Sequence, residues 1–193
     1  GSYTDMTEFF GPVLGVMRFE KLHEAIAMVN QTGFGLTSAI ESLDDRDQAE
    51  WKAGIRAGNL YINRGTTGAI VLRQPFGGMG KSAFGPGLKA GGPNYVAQFM
   101  AFKETIPETA AAPAPDSPLS RLLGAVKGYD TMNVTENTRL VAAFASYERN
   151  WAGEFSCEHD HFRLIGQDNV RRYLPVRELR IRIHADDTPF DLL

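Results

Sequence analysis

Between residues 13 and 63 the apolar residues recur first at strand spacing, then at helix spacing, and then repeat the cycle. That alternation limits the fold more than any other feature of the sequence. VLGVMRF (13–19), a short run rich in branched apolar residues after Gly11-Pro12, is predicted to be a strand. In KLHEAIAMVNQTG, Leu22, Ala25, Ile26 and Val29 recur at helical spacing, and Gly33 stands where a left-handed cap is wanted. LTSAIES (36–42) reads as a second strand. DDRDQAEWKAGIRAG then offers Asp44 or Asp45 as N-cap, acids in the first turn and Gly58 as a stop. NLYIN (59–63) follows as a third strand. Strand, helix, strand, helix, strand predicts crossovers onto a mostly parallel sheet, an α/β layer.

From Gly65 to Pro93 glycine and proline are too frequent for a long regular element, so this stretch is expected to be loop. NYVAQFMAFKETI resumes as a strand or ribbon. TIPETAAAPAPDSPLS has little to bury and marks a linker, giving a first segment over 1–104, a linker over 105–118 and a further domain over 119–193. In that last segment Leu140, Phe144, Tyr147 and Trp151 form a helical stripe, with Asn137 as candidate cap. LRIRIH (179–184) alternates strictly and is predicted to be a half-buried strand, so the segment reads as the start of a second α/β domain. DDTPFDLL places an acid and a proline where a helix would open, and the sequence reads as cut there.

The formal net charge of −3 provides no global field for nucleic acid or anionic lipid. Arg163, Arg171, Arg172, Arg177, Arg180 and Arg182 invite a nucleic-acid reading. From Asn137 onward, however, eight arginines meet nine acids, and interleaved signs suit a solvated or subunit-facing surface. No apolar run approaches a membrane span, and a single cysteine, Cys157, fits a reducing intracellular compartment. Cys157, His159 and His161 have metal-competent side chains, but their alternate spacing is not that of a structural zinc site, and no metal is expected.

RQPFGGMGKSAFGPG (73–87) ends its glycine run in Gly80-Lys81-Ser82, like a phosphate-binding loop. The glycine that should open such a loop is Pro75, which has a fixed φ and no N–H. Ala83-Phe84-Gly85-Pro86-Gly87 cannot readily continue as the helix whose N-terminus would face the phosphates. The match of Gly78, Gly80 and Ala83 to a dinucleotide fingerprint fails for the same missing helix.

Glu8-Phe9-Phe10-Gly11-Pro12 resembles the E-x-F-G-P motif of NAD(P)-dependent aldehyde dehydrogenases, and Pro75-Phe76-Gly77-Gly78 with Ser82 resembles their P-F-G-G-x-x-x-S segment. More narrowly, GNLYINRGTTGAIVLRQPFGGMGKSAFGPGLKAGGPNYV is similar to the L-glutamate γ-semialdehyde (Δ1-pyrroline-5-carboxylate) dehydrogenase part of bifunctional proline utilisation A proteins. The resemblance covers residues 1 to about 104 closely, and HDHFRLIGQDNVRRYLPVRELRIRIH is more weakly similar to the extra C-terminal domain of the longer members.

The resemblance implies the C-terminal part of an aldehyde dehydrogenase catalytic domain, acting with NAD on glutamate γ-semialdehyde in proline catabolism. It implies that Thr67, Gly68 and Ala69 anchor the substrate carboxylate, that Phe76 packs on its methylene chain, that Glu8 holds the nicotinamide ribose and that Phe10 lies near the nicotinamide. FAD is implied only for a proline dehydrogenase part upstream. The family's nucleophilic cysteine and general base belong to motifs not found in these residues, so no catalytic residue is assigned and the piece alone is expected to be inactive. The remainder of the parent enzyme is the expected partner, in a homo-oligomer, cytoplasmic or membrane-associated through the parent. The competing reading is a non-catalytic interaction or lid module of a multidomain protein.

Overall fold

A computed structural model describes residues 2–70, 73–85, 87–103, 105, 111–126, 132–176, 178–188 and 190–191. It divides into two units, one up to Met100 and one from Ala101 onward. In the first, the short helix α1 (Tyr3–Met6) is capped by Ser2 and Asp5. After α2 (Leu22–Gln31), Gly33 turns the chain at φ +75° into β1 (Phe34–Gly35). The order continues with β2 (Thr37–Ile40), α3 (Asp45–Gly54), β3 (Asn59–Ile62) and β4 (Met79–Gly80). Strands β2 and β3 pair in parallel with Ile40 opposite Ile62, and β1 pairs with β4 antiparallel. This is an α/β arrangement, with α3 making the crossover between the parallel strands that such a pair needs.

The alternation along β3 decides what lies on each face. Leu60 and Ile62 pack with Ile40 and Leu22 against a buried cluster of Ile26, Trp51 and Ile55 from α2, α3 and the residue after it. Asn59 and Tyr61 are buried on the opposite face, where they meet the loop that follows. Helix α3 starts as predicted, with Asp44 accepting a hydrogen bond from Arg46 N at 2.9 Å, but ends before Gly58. Ile55 turns extended to enter the core. Asn30 locks the two helix ends together, donating to Gly54 O and accepting from Arg56 N.

Two predicted strands are not formed. Residues 13–19 form no regular element and are exposed, and so are 179–184, where Ile181 keeps 78% of its surface. Both have the composition of a strand. A strand's hydrogen bonds, however, lie on its neighbour, and among the described residues neither segment has one. Where NYVAQFMAFKETI is predicted to be a strand or ribbon, the described residues form a 3₁₀ turn, Val96–Phe99, followed by Met100 in an extended conformation.

In the second unit α4 (Pro118–Val126) begins at the end of the predicted linker, with Pro118 as first helical residue and Ser117 Oγ accepting from Ser120 N at 2.9 Å. Helix α5 (Val134–Asn150) is capped four residues before Asn137, because Asn133 forms a capping box with Glu136. Leu123, Val126, Leu140 and Phe144 form the core of this unit, whereas Tyr147 and Trp151 stay exposed. A π-helical turn, Trp151–Phe155, continues α5. There Glu154 accepts from Tyr173 Oη at 2.7 Å and pairs with Arg171 at 2.9 Å; the Tyr173 bond, followed by Arg171, holds its carboxyl below the usual range. His159 contacts the same carboxylate and stacks on His161, and Cys157 Sγ donates to Ala152 O. Val71 of TTGAIV, linker residues 106–110, Arg177 and Pro189 lie outside the described residues.

Candidate functional site

The loop leaving β3 is rooted before it departs. Asn63, at φ +55°, accepts from Ser42 N and donates back to Ser42 O, which ties the end of β3 to the residues after β2. Arg64 lies over the ring of buried Tyr61, 5.0 Å from its centroid, and donates from Nη2 to Thr67 O at 3.3 Å. Thr67 and Gly68 are exposed and Ala69 is half-buried. Gly68 has φ +83°, and a Cβ there would meet no atom within 4 Å. Backbone conformation alone therefore asks for glycine at this position, and its outer side is open.

The other root is the PFGG segment. Asn59 Nδ2 donates to Pro75 O and Gly77 N donates to Asn59 Oδ1, both at 3.1 Å, while Tyr61 Oη reaches Gln74 at 3.5 Å. Phe76, half-buried, exchanges backbone hydrogen bonds with Ala90. Lys89 threads its ammonium between Gly58 O at 2.5 Å and Gly77 O at 2.7 Å. Burial pushes that ammonium down to about 8, against the pull of the two carbonyls. A Cβ on Gly58 would overlap Gly77 O, and one on Gly78 would overlap Ser82 O. These glycines exist for close backbone approach.

The Gly-Lys-Ser sequence is spent in the same way. Lys81 N donates to Gly33 O, Lys81 Nζ donates to Thr32 O at 2.9 Å and lies over the Phe34 ring, and Ser82 Oγ accepts from Gly35 N. Among the described residues, irregular chain and a turn at Gly85 rather than a helix follow Ser82. The groups that would cradle a phosphate grip the end of α2 and the start of β1 instead.

Of the residues expected at a site, Thr67, Gly68, Ala69 and Phe76 share one loop system on the face of β3 away from the helices. Glu8 and Phe10 lie on a separate exposed segment, Phe10 fully so, and among the described residues no hydrogen bond, ion pair or ring contact joins either to that loop. Cys157 belongs to the other unit. Sequence reasoning missed Asn59, Arg64 and Lys89. Asn59 carried a signal, being a polar residue on the buried phase of an apolar strand. Arg64 and Lys89 had none, because their partners are backbone carbonyls that only the folded loop brings within reach.

The model of the aldehyde dehydrogenase family matches residues 3–105. The chain is 44% identical over 107 residues to the bifunctional protein PutA of Escherichia coli (strain K12), which takes in 54% of this chain and 8% of that protein. It is 46% identical over 99 residues to the 1-pyrroline-5-carboxylate dehydrogenase of Bacillus thuringiensis (strain Al Hakam), 51% of this chain and 19% of that one. The solved structure of proline utilization A from Corynebacterium freiburgense is similar over 85% of this chain and 16% of its own, at 40% identity and a TM-score of 0.60. This chain therefore spans less than a fifth of the length of these relatives. With half of its length matched, the chain belongs to the aldehyde dehydrogenase family.

Proposed function

We propose that the chain is the substrate-anchoring part of an NAD-dependent L-glutamate γ-semialdehyde dehydrogenase, which oxidises the semialdehyde to glutamate in proline catabolism. The observation that carries this is the Gly68 turn. It is an exposed loop at positive φ, open on its outer side and rooted at both ends on β3, so its backbone N–H groups can meet a carboxylate without a side chain in the way. Identity to relatives named PutA and 1-pyrroline-5-carboxylate dehydrogenase supports the same substrate.

In this reading Gly68 and Ala69 donate to the α-carboxylate, Thr67 lies beside them and Phe76 lies along the methylene chain. Together they fix the aldehyde end for a thiolate supplied by another part of the enzyme. Holding the substrate by its charged head lowers the entropy lost on reaching the reactive geometry. NAD supplies the two-electron oxidant when bound. The Glu8 carboxylate accepts no hydrogen bond among the described residues, so both oxygens are available to ribose hydroxyls, and Phe10 offers a bare ring to the nicotinamide.

The test is steady-state kinetics on the full-length enzyme. Gly68→Trp obstructs the open side of the turn and forces a side chain into a left-handed backbone. Losing hydrogen bonds to a charged group, about 1.5–3 kcal/mol, raises KM for the semialdehyde by roughly 10- to 100-fold. An unchanged KM removes the anchor assignment.

A further inference from the structure

We propose that Arg64 is a positioning residue of this anchor, holding the Thr67 carbonyl so that the Gly68 N–H faces outward. The inference rests on the reading of Gly68 and Ala69 as carboxylate donors and assigns what aims them.

The peptide plane couples the carbonyl to the N–H. The bond joining Thr67 to Gly68 is trans, since none of the described peptide bonds is cis. In a trans peptide the C=O and the following N–H point in opposite directions, so fixing one fixes the other. Arg64 Nη2 holds Thr67 O at 3.3 Å, which orients Gly68 N–H away from the guanidinium. Gly68 is itself exposed, and no atom lies within 4 Å of its Cβ position, so the turn is uncrowded there. The guanidinium is itself held by stacking on Tyr61, a ring only 4% exposed and part of β3. A chain of contacts therefore runs from the sheet, through Tyr61 and Arg64, to the carbonyl that sets the donor's direction. Without it the peptide between residues 67 and 68 is free to rotate, because a glycine at φ +83° imposes no steric preference of its own. Arg64 touches neither substrate nor reacting atoms in this account.

The experiment compares full-length wild-type enzyme with Arg64→Met on two substrates, the semialdehyde and propionaldehyde, which has no carboxylate. The expected result is a KM for the semialdehyde raised about tenfold with kcat within about twofold, and an unchanged kcat/KM for propionaldehyde. An unchanged semialdehyde KM, or an equal loss on both substrates, overturns the proposal. Repeating the comparison at 0.5 M salt separates positioning from direct attraction. A positioning defect persists, and a penalty that disappears with salt overturns the proposal in favour of simple charge attraction. Gly68→Trp run in parallel tells the two readings apart. If it raises KM while Arg64→Met does not, only the role of Arg64 fails. If neither variant changes KM, the anchor itself falls, and this inference with it.

Discussion

At the scale of the residue, Lys89 shows how a charged side chain can serve a loop without touching a ligand. Its ammonium bridges Gly58 O, just before β3, and Gly77 O in the PFGG segment, where Gly58 and Gly77 come too close for any side chain on residue 58. Burial lowers its pKa from 10.5 to about 8. Between those two values the unfolded chain keeps a proton that the folded chain has released, so raising the pH through this window favours folding. The neutral amine still has two N–H groups for the two carbonyls. Protein stability measured by thermal unfolding should therefore carry a component that increases from pH 8 towards 10.5. The variant Lys89→Met should lack that component and be less stable at every pH, because two carbonyls lose their donor. A variant with the same pH slope as wild type would show that Lys89 is not the group responsible. The sequence offered Lys89 only as part of KAGGPNYV; its role depends on residues 31 and 12 positions away.

At the scale of the element, β3 organises the first unit because it is buried on both faces for different reasons. One face completes the apolar cluster under α2 and α3. The other holds Asn59, 8% exposed, whose amide satisfies both a donor and an acceptor of the loop at residues 75–77. Asn59→Leu keeps the volume but leaves Gly77 N–H and Pro75 O unpaired, at roughly 1–3 kcal/mol for each buried group. Amide exchange at Gly77 and Phe76 should accelerate, while exchange in α2 and α3 stays as in wild type. Equal acceleration everywhere would mean that Asn59 supports the whole unit rather than the loop. Much at this scale was legible in the sequence: α2, β2, α3 and β3 follow from periodicity and capping, since their partners are near in sequence. The strands predicted at 13–19 and 179–184 were not formed, because periodicity states which side chains share a face but not whether an edge is there to pair with. The cap of α5 was misplaced by four residues for a simpler reason. Asn133 and Asn137 both suit the role, and only the box with Glu136 decides between them.

At the scale of the whole molecule, those two unpaired segments become an expectation about the longer protein. Val13, Leu14, Val16, Met17 and Phe19 in one, and Leu179, Ile181 and Ile183 in the other, are all exposed large apolar residues. Surface of this kind costs about 25 cal/mol per Å² when left in water, and an extended backbone has a row of N–H and C=O groups ready to pair. The matched stretches make up less than a fifth of each relative, and on the proposed function the occupant is a sheet edge in the remainder of the parent enzyme. Amide hydrogen exchange provides the comparison. In residues 1–193 expressed alone, amides of 13–19 and 179–183 should exchange at nearly the rate of an open chain. In the full-length enzyme they should slow by about 100-fold or more, as ladder hydrogen bonds form. The amides of β3 serve as the internal reference, because their partners are already present in β2 and their protection should be similar in both samples. Slow exchange in the isolated piece that grows with protein concentration would mean that a second copy covers these edges. Fast exchange in the full-length enzyme would mean that the strand-like periodicity of both segments reflects side-chain composition without sheet pairing.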